Sequence, residues 1–207
     1  MRQKPDWIAL SAMLLTLIVH LATMHRGPST LFIASACVFW VGFIVYRAWR
    51  DREVLREWGF RRENLKEASL ICLGLFVVGM IGFAIIALNQ DSLQFPIHTP
   101  ILLVIYSIWG LIQELLVLGI VVLNLNRLRF FQQRQPLLVI VGATIFGLVH
   151  AYDLRLVPVT VVLELIVIPL YLKYRNLWPF GLLHGWLGTF FYLWVLNRDL
   201  WKEHILS

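Results

Sequence analysis

Seven apolar runs, separated by short polar gaps, make up most of the chain. A helix needs roughly 17 to 25 residues to cross about 30 Å of hydrocarbon, and most of the runs reach that length. The runs are Trp7–Met24, Thr30–Ala48, Ala68–Leu88, Ile101–Leu125, Pro136–Tyr152, Val157–Leu172 and Leu177–Leu196. This pattern predicts an all-α fold, a polytopic transmembrane helix bundle of about seven spans.

The composition supports a membrane protein. Apolar residues make up 59% of the 207 residues and charged residues 14%, and the mean hydropathy is +0.76. Soluble proteins carry about one quarter charged residues, so an ordinary soluble enzyme and a disordered chain are both excluded. We find no internal repeat and no long linker, and expect a single domain over residues 1–207.

Basic residues are distributed unevenly between the gaps. The chain has 18 Lys and Arg against 12 Asp and Glu. Summed over alternate gaps, Lys and Arg number 14 on one side and 4 on the other. The positive-inside rule then predicts a multi-pass protein with a cytoplasmic N-terminus and, if there are seven spans, an external C-terminus. Since acids interrupt the basic segment Arg47–Lys66, we expect no nucleic-acid partner.

The segment Arg47–Lys66 alternates charged residues with Trp49, Leu55, Trp58 and Phe60. One interpretation is an interfacial amphipathic helix at the level of the lipid headgroups. The other is a solvated connector with a few interfacial anchors. The pattern leaves both open, and our fold prediction includes the interfacial helix.

Ionisable residues inside the apolar runs are few, and such residues are expensive in a bilayer unless they share a site. The acids are Glu114 and Glu164, and the histidines are His20, His150 and His184. We expect all of these except His20 to meet in one cavity, either as a hydrolytic site or as buried polar contacts between helices. His20 has no polar neighbour in its run and is interpreted as a packing residue.

Small residues accompany these polar groups. Ser107 and Gly110 precede Glu114 on one helix face, and Gly181, Gly185 and Gly188 flank His184. Both spacings favour close helix packing.

A metal site is a further alternative, because two histidines and a glutamate are ligands that zinc accepts. The His-Glu-x-x-His motif of zinc proteases is absent, and Cys37 and Cys72 have no ligand spacing. Zinc would need ligands from three separate helices. We therefore expect no metal and no other cofactor.

Three motifs resemble those of the CPBP intramembrane proteases, which include CAAX prenyl endopeptidases and bacteriocin-processing and immunity proteins. QELLVLG, Gln113 to Gly119, is similar to the family's Glu-Glu-x-x-x-Arg motif. FGLVH, Phe146 to His150, matches Phe-x-x-x-His, and HGWLG, His184 to Gly188, is similar to His-x-x-x-Asn. With the flanking stretches, the family-like core covers about residues 58–192.

The resemblance implies an endopeptidase that cleaves a membrane-associated or lipidated peptide in the cytoplasmic membrane of a prokaryote. It implies that an acid and His150 activate water while His184 stabilises the oxyanion. Phe146 and Gly188 then line the site with Gln113 and Glu164, and Glu164 is also a substitute source of the carboxylate. The mechanism that the resemblance implies is that of a glutamic or metal-assisted protease.

Three departures from the motifs keep a second hypothesis open. Gln113 stands where the first acid is expected, Leu118 where the Arg is, and Gly188 where the Asn is. A glutamine amide is no general base, so Glu114 becomes the candidate base. The alternative is a catalytically inactive family member that acts as a membrane binding or regulatory protein.

Overall fold

The computed structural model describes residues 4–24 and 30–204, and these ranges contain helices and no strand. The helices are α1 (Trp7–Thr23), α2 (Thr30–Arg50), α3 (Glu53–Glu57), α4 (Leu65–Asn89), α5 (Thr99–Glu114), α6 (Leu123–Asn126), α7 (Arg129–Gln132), α8 (Gln135–Val149), α9 (Leu156–Tyr174), α10 (Trp178–Phe190) and α11 (Leu200–His204). Two π-helical segments, Leu115–Val122 and Phe191–Val195, continue α5 and α10. The all-α prediction is confirmed, and every apolar run forms a helix. Arg2 and Arg26 of the charge count lie outside the described residues.

Three of the described helices are long and apolar enough to cross a membrane, judged by length and composition. They are α4, α9 and the continuous helix Thr99–Asn126, which joins α5, the π-helical segment Leu115–Val122 and α6. The helices α1 and α8 are shorter and also apolar. On α4, apolar side chains such as those of Leu73, Val78 and Ile85 are exposed, as lipid-facing residues are. The fold is a helical membrane bundle, and the count of seven spans stays a prediction.

The contacts divide the chain into two compact units. The first contains the described residues up to Arg61 together with Leu116–Arg175. The second contains Arg62–Leu115 and the described residues from Asn176 onward. The prediction of a single domain stays a prediction, because one membrane bundle can contain two compact units.

In the first unit, polar contacts connect four of the charge-rich gaps. Asp6 caps α1 by accepting from the Ala9 N–H at 3.0 Å, and it pairs with Arg47 at the end of α2. Arg127, after α6, pairs with Glu57, and Arg175, after α9, donates to the Glu57 carbonyl at 3.1 Å. These four gaps are the ones predicted to face the same side of the membrane.

The segment Arg47–Lys66, predicted as an interfacial amphipathic helix or a connector, is helical in three pieces, the last of which is the start of α4 at Leu65. Residues up to Arg50 continue α2, and α3 adds five residues. Positive φ angles at Gly59 (98°) and Asn64 (56°) interrupt the helix. Trp58 is buried, and its carbonyl accepts a hydrogen bond from the hydroxyl of Tyr171 on α9. Tertiary contacts therefore determine this backbone.

The bond between Tyr171 and Trp58 gives a test of this packing. The Tyr171 hydroxyl donates to the Trp58 carbonyl at 2.8 Å, and the Tyr171 side chain is fully buried. We expect Tyr171→Phe to cost about 1–2 kcal/mol, because a buried carbonyl loses its donor. Thermal unfolding in detergent checks the value, with Tyr46→Phe at an exposed tyrosine as the control. Equal Tm values for the two variants contradict the assignment.

The second unit has an aromatic core near the end of α10. Ala87, Phe190, Leu193 and Trp194 are buried together, and Phe76, Met80, Phe83, Ala84 and Leu103 pack around them. The Gln94 amide donates to the Leu193 carbonyl at 3.1 Å, and the Trp194 indole donates to the Gln94 carbonyl at 2.9 Å. The chain between α4 and α5 is thereby attached to the helix that carries His184.

Candidate active site

The candidate site of the second unit is built on the contact between α5 and α10. A Cβ atom added to Gly185 would lie 2.1 Å from the Tyr106 carbonyl oxygen, and one added to Gly110 would lie 2.4 Å from the Gly181 carbonyl oxygen. One added to Gly181 would lie 2.7 Å from the Leu111 Cα. The backbones of the two helices therefore touch, as the glycine spacing predicted.

This contact brings Glu114 and His184 together. Oε1 of Glu114 and Nδ1 of His184 are 2.8 Å apart, which is a short hydrogen bond between a carboxyl group and an imidazole. Glu114 is 0% exposed and His184 8%. Gly110 lies one turn before Glu114, and Gly181 and Gly185 flank His184, so the glycines set the separation of the two polar side chains.

The shared proton decides what the pair can do chemically. When it lies on Nδ1, the neutral ring of His184 has a lone pair on Nε2, which is then a proton acceptor. When it lies on Oε1, the neutral ring has its hydrogen on Nε2, which is then a donor. The second form holds one proton more than the first, because Nε2 takes up a proton when Nδ1 passes its own proton to Oε1. Burial favours this form, since the carboxyl group in it is neutral.

Gln113 and Glu114 end α5, and the chain then continues with π-helical hydrogen bonding through Leu115–Val122. Gln113 is partly exposed, whereas Glu114 is fully buried. Leu118, which stands where the family motif has Arg, is 0% exposed within the first unit. π-helical turns recur at functional sites, where they change the direction of neighbouring side chains.

Gly188 lies one turn after His184 and has space around it. A Cβ atom added there would lie 4.0 Å from the His184 Cδ2, an ordinary van der Waals contact. In contrast with the other two glycines that flank His184, Gly188 is not required for helix contact. A Cβ atom can therefore be placed beside the imidazole.

His150 and Phe146 lie in the first unit, at the end of α8. Nδ1 of His150 is 2.9 Å from the Phe146 carbonyl oxygen, and the two rings lie 4.7 Å apart. A carbonyl oxygen only accepts, so Nδ1 carries the hydrogen, and the neutral ring has its lone pair on Nε2. That tautomer suits a histidine that accepts a proton from water or orients it.

The remaining span residues also belong to the first unit. Glu164, in the middle of α9, is 0% exposed. His20, on α1, approaches the Val149 carbonyl oxygen with Nε2 at 2.9 Å. This partner could not be predicted from the sequence, because a backbone carbonyl carries no residue signature. That the predicted site residues act in catalysis stays a prediction.

A metal centre has no support within the described part of the chain. Among its His, Cys, Asp and Glu residues, no group of three could hold a metal ion. The expectation of no metal was made from spacing, and it stays an expectation.

Comparison with known families bears on the same residues. Residues 94–190, just under half of the chain, match the model of the family described as Type II CAAX prenyl endopeptidase Rce1-like. The match covers all three motifs, and the resemblance to the CPBP intramembrane proteases is confirmed. By this similarity, residues 94–190 form an Rce1-like domain within a helical membrane protein. The chain has no significant match among curated proteins or solved structures.

Proposed function

We propose that this protein is an intramembrane endopeptidase that hydrolyses a peptide bond in a membrane-associated, prenylated substrate. The Rce1-like domain supports the reaction class. The observation that carries the proposal is the buried hydrogen bond between Glu114 and His184 in that domain. A buried acid and imidazole at this distance can move a proton, and hydrolysis requires that movement.

Each role in the proposed step follows from the shared proton. Nε2 of His184 accepts a proton from water while Nδ1 passes its proton to Oε1 of Glu114. The hydroxide oxygen bonds to the scissile carbonyl carbon, and Nε2–H donates to the resulting oxyanion. When the C–N bond breaks, the leaving amine takes the proton from Nε2, and Glu114 returns its proton to Nδ1. Glu114 is thus the final base, and His184 is the oxyanion donor.

His150 is proposed as the second functional histidine from its motif, with Phe146 positioning its ring. Gln113 and Gly188 are proposed to line the site beside Glu114 and His184. Glu164 is kept as the alternative acid. We propose no metal or other cofactor.

Cleavage of a defined peptide tests the proposal. The purified chain in lipid vesicles is incubated with a farnesylated peptide, and mass spectrometry identifies the products. We expect cleavage of the farnesylated peptide and much slower cleavage of the same peptide without the lipid. His150→Ala is expected to lower the rate by about 10²–10⁴-fold, the usual contribution of acid–base catalysis. Full activity of this variant would remove His150 from the site.

A second candidate function is a catalytically inactive membrane protein that binds its partner without cleaving it. Gln113 at the position of the family's first acid favours it, and so does Gly188 at the position of the Asn. We expect Gln113→Glu with Gly188→Asn to fold normally, since both residues are partly exposed and residue 188 has space for a Cβ atom. If the double variant cleaves the peptide and the native chain does not, the native protein is the inactive family member. If the native chain cleaves the peptide, it is the protease.

We also propose that the N-terminus is cytoplasmic and that the membrane is the cytoplasmic membrane of a prokaryote. The charge asymmetry of the gaps supports the orientation. So does the gathering of four of those gaps in the first unit through Asp6, Glu57 and their basic partners. The orientation is tested with reporters that are fused to the N-terminus and are active on only one side of the membrane. A signal from the external side contradicts a cytoplasmic N-terminus.

A further inference from the structure

At the end of α8, each of the last four carbonyls of the helix accepts a hydrogen bond. The last four carbonyls of an α-helix need donors from elsewhere. The His150 and Ala151 N–H groups donate to the Gly147 and Leu148 carbonyls at 3.0 and 3.1 Å. Two histidine side chains supply the other two bonds, His150 to the Phe146 carbonyl and His20 to the Val149 carbonyl.

His20 therefore acts on the peptide unit that joins Val149 to His150. Its Nε2 lies 2.9 Å from the Val149 oxygen, and because that oxygen only accepts, Nε2 carries the hydrogen. The carbonyl belongs to the residue directly before His150. Rotation of this peptide unit would turn the Cα of His150 and, with it, the imidazole.

Aromatic rings hold His20 and His150 in the same neighbourhood. The His20 ring stacks on Phe32 of α2 at 5.8 Å and meets the edge of Tyr152 at 6.5 Å. Tyr152 in turn lies 6.3 Å from the ring of His150. The donor on α1 thus has ring contacts of its own in addition to its bond to the carbonyl.

We infer that His20 is a positioning residue for His150, which it orients through the Val149 carbonyl and the ring of Tyr152. His20 lies outside residues 94–190, so this role assigns a functional contribution to the helix that precedes the Rce1-like domain. The catalytic consequence of this inference rests on the proposed function. The structural consequence, the orientation of the His150 ring, does not.

The first measurement determines the tautomers of the two rings in the native protein. Nitrogen-15 spectra of histidine-labelled chain in micelles distinguish the two tautomers of each ring, and His20→Gln and His150→Gln assign the two signals. We expect hydrogen on Nε2 of His20 and on Nδ1 of His150 at a pH where both rings are neutral. Hydrogen on Nδ1 of His20 overturns the inference without any appeal to activity.

Two substitutions at position 20 then separate the hydrogen bond from packing. His20→Phe keeps a ring against Phe32 and Tyr152 but has no donor, whereas His20→Gln keeps an N–H donor. We expect the Nδ1–H of His150 to exchange with water about tenfold faster in His20→Phe, and close to the native rate in His20→Gln. Native exchange rates in both variants overturn the inference.

Kinetics on the farnesylated peptide complete the test. For His20→Phe we expect kcat to fall by roughly 10–100-fold at a nearly unchanged KM, because a displaced group slows the chemical step more than binding. His20→Gln should recover most of kcat. Equal loss in both variants, or a loss confined to Tm, overturns the positioning role. If the native chain cleaves nothing while exchange at His150 still responds to His20→Phe, the proposed function fails and the positioning role stands.

Discussion

Glu114→Gln is expected to lower the cleavage rate by about 10²–10⁴-fold and to leave the fold intact. The glutamine oxygen can still accept from Nδ1 of His184, so the hydrogen bond between α5 and α10 survives in the variant. An amide accepts no proton in the working pH range, so His184 has no group to which it can pass its Nδ1 proton. Initial rates and Tm, measured on the same preparation, separate the two effects.

Glu164→Gln is the matched control for this experiment. Glu164 is the other fully buried acid of the spans, and it lies on α9 of the first unit. We expect this variant to retain most of its activity. Loss of activity in Glu164→Gln together with retention in Glu114→Gln would move the role of base to Glu164.

Gly185→Ala is expected to be the most destabilising single-methyl change on α10. Its Cβ would lie 2.1 Å from the Tyr106 carbonyl oxygen, and backbone atoms cannot move aside as a flexible side chain can. Overpacking of a core costs about 1–3 kcal/mol, and we expect the upper end of that range. Tm should then fall by roughly 6–12 °C, because each kcal/mol corresponds to about 2–4 °C in a chain of this size.

Gly188→Ala supplies the control on the same helix. Its Cβ would meet only the His184 Cδ2, at 4.0 Å, and alanine is the better helix former. We expect a Tm equal to or above that of the native chain. Cleavage should decrease in Gly185→Ala, since separating the helices also separates Glu114 from His184. Similar Tm values for the two alanine variants would contradict the backbone contact.

The helices themselves could be predicted from the sequence. Backbone groups in hydrocarbon must be satisfied within their own segment, so each apolar run forms a helix whatever its detailed sequence. This is why the predicted runs Thr30–Ala48 and Ala68–Leu88 agree within three residues with α2 and α4. The π-helical segment Leu115–Val122 was not predicted, because a continuously apolar run carries no periodicity from which a change of register can be read.

The segment between α2 and α4 shows the opposite case. Its alternating pattern left an amphipathic helix and a solvated connector both open. In the structure, Trp58 and Arg61 bond to residues of α9 that are more than 100 positions away in the chain. Local pattern carries no information about such partners. A positive φ at a non-glycine residue such as Asn64 is equally hard to predict, because it depends on the surrounding packing.

For the candidate site, residue identity and glycine spacing were sufficient to predict one pair. Glu114 and His184 were expected to meet, and they do, at 2.8 Å. The hydrogen bonds of His20 and His150 could not be predicted, since both run to main-chain oxygens. His20 was interpreted as a packing residue because it lacks polar neighbours in sequence, and its partner became evident only in three dimensions.

The glycine contact between α5 and α10 also bears on how the proposed substrate would enter. Where two helices meet through main-chain atoms, no side chain between them can change rotamer to make room, so we expect the pair to move together. If the proposed function holds, we expect a peptide to reach Glu114 through rearrangement of other parts of the chain. Locking this seam with an engineered covalent cross-link should therefore leave turnover intact.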